Sequence, residues 1–292
     1  MLFGAHISVG AGYDEALDYA FQVGCECAQI FAKSPRQWKG PSIDPAKAAA
    51  FVEAREERGF GPLFTHTAYL INPATIDPVL REKSIDALAD ELVRGALLGA
   101  EGVVTHIGSD PDLDPEAAAR RVADAVNRAF ELAGPAAQST RLLLENTAGA
   151  GTTFGSSFEE LGACMEYSGL PADLLGVCLD TCHAYAYGMA VDTPAGWEAV
   201  IAGIEKCCGR ERLGLIHAND CLFERGSKRD RHAWIGDGYI GYEGFKAMIC
   251  TPQLAGVSVC TEMSGDVPFK DVENIRRLKE LRDQCARSHS DS

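Results

Sequence analysis

Histidine is scarce in this chain, and almost all of it stands at one kind of position. Five of the seven histidines lie at or near the ends of short apolar runs with strand character: His66 in PLFTHTAY, His106 in GVVTHIGS, His183 in GVCLDTCH, His217 in LGLIHAND and His232 in KRDRHAW. Carboxylates stand beside them or in equivalent places: Asp180 three residues before His183, Asp230 two before His232, Glu145 in RLLLENTAG and Glu262 in GVSVCTEM. Imidazole and carboxylate are donors that zinc, manganese and iron accept, and nine such groups exceed what one ion can take. The pattern predicts a multinuclear metal site.

Such a site needs a scaffold that brings distant segments to one place. Strand-like runs recur at residues 2–8, 27–32, 62–67, 102–107, 141–146, 175–181, 213–218 and 256–262. Most are nearly continuous apolar segments, as expected of parallel strands covered on both faces. Stretches of helical spacing separate them: Ala16, Leu17, Ala20 and Phe21 mark one stripe, Ile85, Leu88, Leu92 and Ala96 another, Val272, Ile275, Leu278 and Leu281 a last. Glycine often closes a helix or opens a strand, as at Gly24, Gly99, Gly176 and Gly256.

Eight such pairs in series predict an α/β fold of the (β/α)8 TIM barrel type. The alternative, an open doubly wound sheet, lacks a glycine-rich phosphate loop after its first strand. In a barrel every candidate donor falls at the C-terminal end of a strand or just past it. Those ends converge on one face, where barrel enzymes carry out their chemistry. A chain of 292 residues suits one barrel, which uses about 250. A single domain over residues 1–283 is expected, with 284–292, QCARSHSDS, as a frayed polar tail and His289 idle within it.

Composition narrows the partners. No run of about 18 apolar residues is present, so no membrane span is expected. The start MLFGAHISVG lacks a basic segment and reads as a first strand, not a signal peptide. Eleven cysteines, an odd number without zinc-ribbon spacing, read as small buried hydrophobes in a reducing cytoplasm. Thiolate ligation by Cys178 and Cys182 is set aside, because Asp180 and His183 beside them offer better donors for hydrolysis. A net charge of −15 argues against a nucleic-acid partner, but three divalent ions would bring it to −15 + 6 = −9. Positive charge is also clustered, in Lys33, Arg36 and Lys39 and again in Arg225, Lys228, Arg229 and Arg231. Such clusters can hold phosphates locally while the far surface stays acidic.

The segments HTAYLIN (66–72), LENTAGAG (144–151), GVCLDTCH (176–183), HAND (217–220) and GSKRDRH (226–232) closely resemble the endonuclease IV family. GAHIS (4–8), PRQW (35–38) and IGDGYIG (235–241) add further matches, in unbroken order from about residue 3 to residue 282. That family comprises zinc-dependent class II apurinic/apyrimidinic endonucleases with a β/α barrel fold. The resemblance implies a trinuclear cluster of three zinc ions per chain. His66 and His106 would hold one ion with Glu145, whose carboxylate bridges to a second; Asp180, His217 and Glu262 would complete the second; His183, Asp230 and His232 would hold the third. Manganese or iron would accept the same donors at one of these sites.

The resemblance also implies a function: cleavage of double-stranded DNA on the 5′ side of an abasic site, leaving a 3′-hydroxyl and a 5′-deoxyribose phosphate, with trimming of blocked 3′ ends. Glu145 is the expected catalytic residue, as the bridge that fixes the metals, and no side-chain nucleophile is needed. Arg36, Gln37, Tyr69 and Leu70 match the segments that enter the duplex or fill the space of a flipped abasic sugar. Ser34, where asparagine is usual, and Thr67–Ala68 depart from the family pattern, which touches DNA contacts and not the metal set. A cytoplasmic monomer without membrane attachment is expected. Two other classes fit parts of the pattern: a sugar isomerase or epimerase on the same barrel, which would want fewer histidines, and a non-catalytic binder of damaged DNA with structural metals.

Overall fold

The computed structural model describes residues 1–112, 114–263 and 269–290, and the side chains of all of these but 288–290. Eight parallel strands close into a barrel: β1 (Leu2–Ile7), β2 (Cys27–Phe31), β3 (Leu63–His66), β4 (Gly102–His106), β5 (Arg141–Glu145), β6 (Leu175–Asp180), β7 (Leu213–His217) and, last in the chain, β10 (Ser258–Thr261). Each strand pairs with its neighbours in sequence, and β10 closes the ring between β7 and β1. Two short strands, β8 (Asp220–Cys221) and β9 (His232–Ala233), make an antiparallel ribbon outside the barrel. The strand runs expected from the sequence agree with these bounds to within two residues at either end. Apolar runs of this kind are buried on both faces, and a polar donor at the end marks where burial by helices stops.

The surrounding helices are α1 (Tyr13–Gln22), α2 (Pro45–Glu57), α3 (Pro78–Leu97), α4 (Pro115–Ala133), α5 (Phe158–Ser168), α6 (Thr181–Tyr187), α7 (Pro194–Cys207), α8 (Gly241–Cys250) and α9 (Lys270–Ser290). Three begin the same way. Asp44, Asp77 and Asp114 each precede a proline, and each aspartate accepts backbone N–H bonds of the first turn. Proline at that position has no N–H to leave unsatisfied, and the aspartate satisfies the next ones. The predicted stripes face the barrel: Ile85, Leu88 and Leu92 of α3 and Ile275, Leu278 and Leu281 of α9 are buried, while Val272 is exposed.

Inside the barrel, side chains stack in layers. Cys27, Phe64, Val104, Leu143, Cys178, Leu215 and Cys260, one from each of seven strands, form a separate buried apolar cluster. The eighth strand offers Gly4 at this level, because a Cβ there would run into the Cys27 carbonyl oxygen. Successive inward positions on a strand are two residues apart. Two residues further on, the same strands carry His6, Gln29, His66, His106, Glu145, Asp180, His217 and Glu262.

Two expectations fail here. Residues 284–290, read from their polarity as a frayed tail, continue α9 to Ser290, while residues 291–292 and the side chain of His289 lie outside the described set. Cysteines are not all unpaired hydrophobes either: Cys250 at the end of α8 is bridged to Cys285 in α9, with Cα atoms 5.6 Å apart. The bridge joins the final turns of the chain to the body of the protein, which polarity alone could not reveal. No helix of the described residues is long and apolar enough to cross a membrane.

Candidate metal centre and nucleic-acid face

All nine predicted donors meet at the C-terminal mouth of the barrel. Their donor atoms gather into the groups His66–His106–Glu145, Glu145–Asp180–His217–Glu262 and His183–Asp230–His232, each compact enough for one metal ion. Glu145 belongs to two groups, and its carboxylate is fully buried. Around it lie His217 Nδ1 at 3.0 Å, His66 Nε2 at 3.2 Å, His106 Nδ1 at 3.4 Å and His183 Nδ1 at 3.5 Å.

Local structure explains the spacing of the ligand motifs. In DTCH, Asp180 ends β6 and caps α6: its Oδ1 accepts the His183 N–H at 2.7 Å. This bond holds His183 one turn along a helix whose first residue follows the strand, so aspartate and histidine face one another. The other oxygen, Oδ2, takes an N–H from Asn219 at 2.6 Å and stays beside His217 and His232, at 4.0 and 3.8 Å. Asp230 and His232 arrive by a different route. The ribbon β8–β9 pairs Cys221 with His232, and the Leu222 N–H bonds to the Arg231 carbonyl at 3.0 Å. Buried Asp220 then collects the N–H groups of Gly236, Gly238 and Ile240 at 2.9–3.0 Å, fixing the turn after His232. Gly238 passes so close that a Cβ would strike the Cys221 carbonyl and Asp220 itself. The glycines of IGDGYIG therefore shape the wall behind the third group.

Second partners orient the rings. His66 donates Nδ1–H to the Thr67 carbonyl at 2.8 Å, His183 to that of Asn146 at 2.9 Å, and His232 to that of Glu262 at 2.9 Å. Each then points Nε2 toward the site, as ligating histidines do. His217 is turned round: its Nε2 faces Gln29 Oε1 at 2.8 Å and its Nδ1 faces the carboxylates.

The electrostatics fit a cation. Burial would raise the Glu145 carboxyl, yet His106, His217 and His66 hold it well below the usual carboxylate range. Asp230, whose side chain is half exposed, is likewise lowered, by His183 and His232. Burial pulls on the imidazoles too, but Asp180 and Asp230 lift His183 well above its ordinary value, and Asp230 and Asp180 lift His232 to about 9. His217 rises well above its ordinary value against burial, raised by Cys178, then Glu262 and Glu145. Rings and carboxylates are thus packed so that positive charge is wanted between them, and a divalent ion supplies it. The angles agree, since buried His232 Nε2 makes no hydrogen bond although Asp230 Oδ1 lies 3.2 Å away. The donor set therefore suits zinc. Cys178 belongs to none of these groups, whereas Cys182 Sγ lies within reach of Asp180 and His232 as a candidate fourth group. Burial pushes Cys178 up to about 12, while a hydrogen bond with Cys221, then burial, raises Cys182.

The four predicted DNA-facing residues line one side of the mouth. Arg36 and Gln37 are exposed in the β2–α2 loop, and Tyr69 and Leu70 in the β3–α3 loop, Tyr69 with 61% of its surface open. The Tyr69 ring stands 6.0 Å from His66 and 6.5 Å from His106, centroid to centroid. The Tyr69 N–H bonds to the Pro35 carbonyl at 3.0 Å and so ties the loops together. Lys33 corrects the expected basic cluster. It is buried, bonded to Asp90 at 2.7 Å and 3.4 Å from Glu91, and Glu91 also accepts the Ala68 N–H. A buried ammonium needs such partners, which α3 provides. Arg36 and Lys39 remain exposed, as do Arg225, Lys228, Arg229 and Arg231 near the third group.

Gln29 and His6 belong to the same ring and were not singled out from sequence. A polar residue inside the apolar run CAQIF was the available signal for Gln29.

Residues 17–284 match the family described as xylose isomerase-like TIM barrel. A protein of Methanoculleus marisnigri called probable endonuclease 4 is 40% identical over 282 residues, covering 96% of this chain and 99% of its own length. The crystal structure of endonuclease IV from Thermus thermophilus superposes with a TM-score of 0.84 at 36% identity, covering 97% of this chain and all of that one. A D-tagatose 3-epimerase-like protein superposes over 99% of both chains with a TM-score of 0.72, but at 18% identity this is a likeness of fold alone.

Proposed function

The chain belongs to the endonuclease IV family, among the xylose isomerase-like TIM barrels, and from that premise we propose that it is a DNA-repair nuclease. It hydrolyses the phosphodiester bond 5′ to an abasic site, leaving a 3′-hydroxyl and a 5′-deoxyribose phosphate, and trims phosphate or phosphodiester groups from blocked 3′ ends. His66, His106 and Glu145 would hold one zinc ion, Glu145, Asp180, His217 and Glu262 a second, and His183, Asp230 and His232 a third, with manganese or iron an alternative at one site. Zinc supplies charge that makes a water acidic enough to attack at neutral pH and that offsets the phosphate oxygens.

The residues of the chain do the remaining work. Glu145, shared between two donor groups, fixes their separation. Arg36 and Gln37 reach backbone phosphates, and Tyr69 and Leu70 occupy the stack where a base is missing. A site without a base costs less to unstack and kink, so recognition rests on deformability. The protein acts as a cytoplasmic monomer.

One observation carries this reading: nine donors from distant segments converge in three groups, two of them sharing Glu145, beneath an exposed Tyr69–Leu70 pair. The test is elemental analysis of the purified protein together with nicking of a synthetic abasic duplex, with and without a chelator. Three equivalents of metal and chelator-sensitive nicking 5′ to the abasic site are expected. A chain that leaves that duplex intact but epimerises a ketose, or that binds damaged DNA without cutting, would overturn the proposal.

A further inference from the structure

The ring above the apolar layer has one residue from each of the eight strands, and the ligand assignment uses six of them. The two left over are His6 and Gln29, side by side on β1 and β2. Gln29 is fully buried in a place where an apolar side chain would be the ordinary choice. A buried primary amide must satisfy both its ends, and here each end meets a group of the metal centre.

Its Nε2 donates to Glu262 Oε1 at 2.6 Å and lies 2.9 Å from His6 Nδ1. A carboxylate only accepts hydrogen bonds, so Glu262 dictates which way the amide faces: the NH2 group must be toward it. Oε1 is then left against His217 Nε2 at 2.8 Å. An oxygen without a proton can only accept, so Nε2 of His217 carries the hydrogen, and Nδ1 of a neutral ring is bare. That Nδ1 stands 3.0 Å from Glu145 Oε1 and 3.1 Å from Glu262 Oε2. Backbone carbonyls perform this service for His66, His183 and His232, which all present Nε2. His217 is reversed relative to those three, and a side chain holds it.

We propose that Gln29 is a positioning residue of the metal centre, which locks His217 as an Nδ1 donor while anchoring Glu262 of the same group. The inference rests on the three-zinc reading and specifies how one of its sites is built. It follows that the middle site has an outer support that can be removed by one substitution, unlike His66, His183 and His232, whose supports are backbone carbonyls.

The test reads metal binding and ring state, not cleavage. Zinc affinity is measured by competition with a chromophoric chelator for wild type, Gln29→Met and Val104→Ala, a barrel-interior change below the ring. Gln29→Met, of similar length but unable to accept the bond, is expected to bind one zinc about 10- to 100-fold more weakly, with Val104→Ala at the wild-type value. Equal affinity in Gln29→Met and wild type would overturn the proposal, as would equal weakening in both variants. Long-range proton–nitrogen spectra of histidine-labelled, zinc-loaded wild type give a check that needs no variant. A ring with metal on Nδ1 and hydrogen on Nε2, with loss of that pattern in Gln29→Met, is expected, and its absence from wild type overturns the proposal. Wild type that retains no zinc would overturn the metal reading itself, and this inference with it.

Discussion

Two adjacent layers inside one barrel, a single strand repeat apart, have opposite chemistry. The lower one, Cys27 through Cys260, is apolar, fully buried or nearly so, and interdigitated. In the upper one, histidines and carboxylates are pressed together at 3.0–3.5 Å. Neighbouring residues of the same strands alternate between the barrel interior and the surrounding helices, so backbone geometry is common to both layers. The difference lies wholly in side chains, and it separates two duties. The lower layer supplies stability and rigidity, while the upper layer sacrifices stability to hold groups that want a metal.

That separation can be broken by experiment. The largest effect is expected from Glu145→Gln, which keeps shape and burial but removes the carboxylate shared by two donor groups. Cleavage of an abasic duplex should fall by roughly 1000-fold or more, the scale of losing a central electrostatic group, while thermal unfolding of the metal-free protein changes little or moves upward. Near-normal turnover would dissolve the distinction between the layers.

Leu143→Ala, two residues earlier on β5, should do the reverse. Denaturant unfolding is expected to show a loss of about 2–5 kcal/mol, as for other buried leucines, with the cleavage rate per folded molecule retained. A rate that collapses in step with stability would mean that the lower layer also tunes the chemistry. Smaller again is Tyr69→Ala, at the rim. Loss of stacking worth about 1–3 kcal/mol per base should appear as weaker binding of an abasic duplex in a gel-shift or anisotropy titration, with zinc content unchanged. Zinc loss in that variant would show that the rim and the ring are one unit.

Much of this was legible in the sequence because strand ends are chemically abrupt. In RLLLE, VCLD and LGLIH an apolar run stops at a donor, and parallel topology carries all such stops to one face. What stayed hidden depends on partners far along the chain. Lys33 reads as part of a basic segment until Asp90 and Glu91, on α3, are found beside it. QCARSHSDS reads as a frayed tail because the tie between Cys285 and Cys250 spans 35 residues. Gln29 is a third kind of omission. It is not a usual ligand type, so a search for such types passes over it; its polarity within CAQIF marks it as unusual, and the register of β2 beside β1 and β3 shows that it completes the ring.

The hydrogen bond from Tyr69 to the Pro35 carbonyl has a consequence for how this face can change over time. With Glu91 gripping both Lys33 and the Ala68 amide, the arginine-bearing arm and the tyrosine-bearing arm form a single jaw hinged on α3. Lengthening or reshaping one arm drags the other with it. New substrate preferences are therefore easier to reach along the opposite bank. There the loop that carries Lys228, Arg229 and Arg231 is tied back to α6, at Tyr185 and Ala186, and among the described residues its backbone makes no bond to either arm of the jaw.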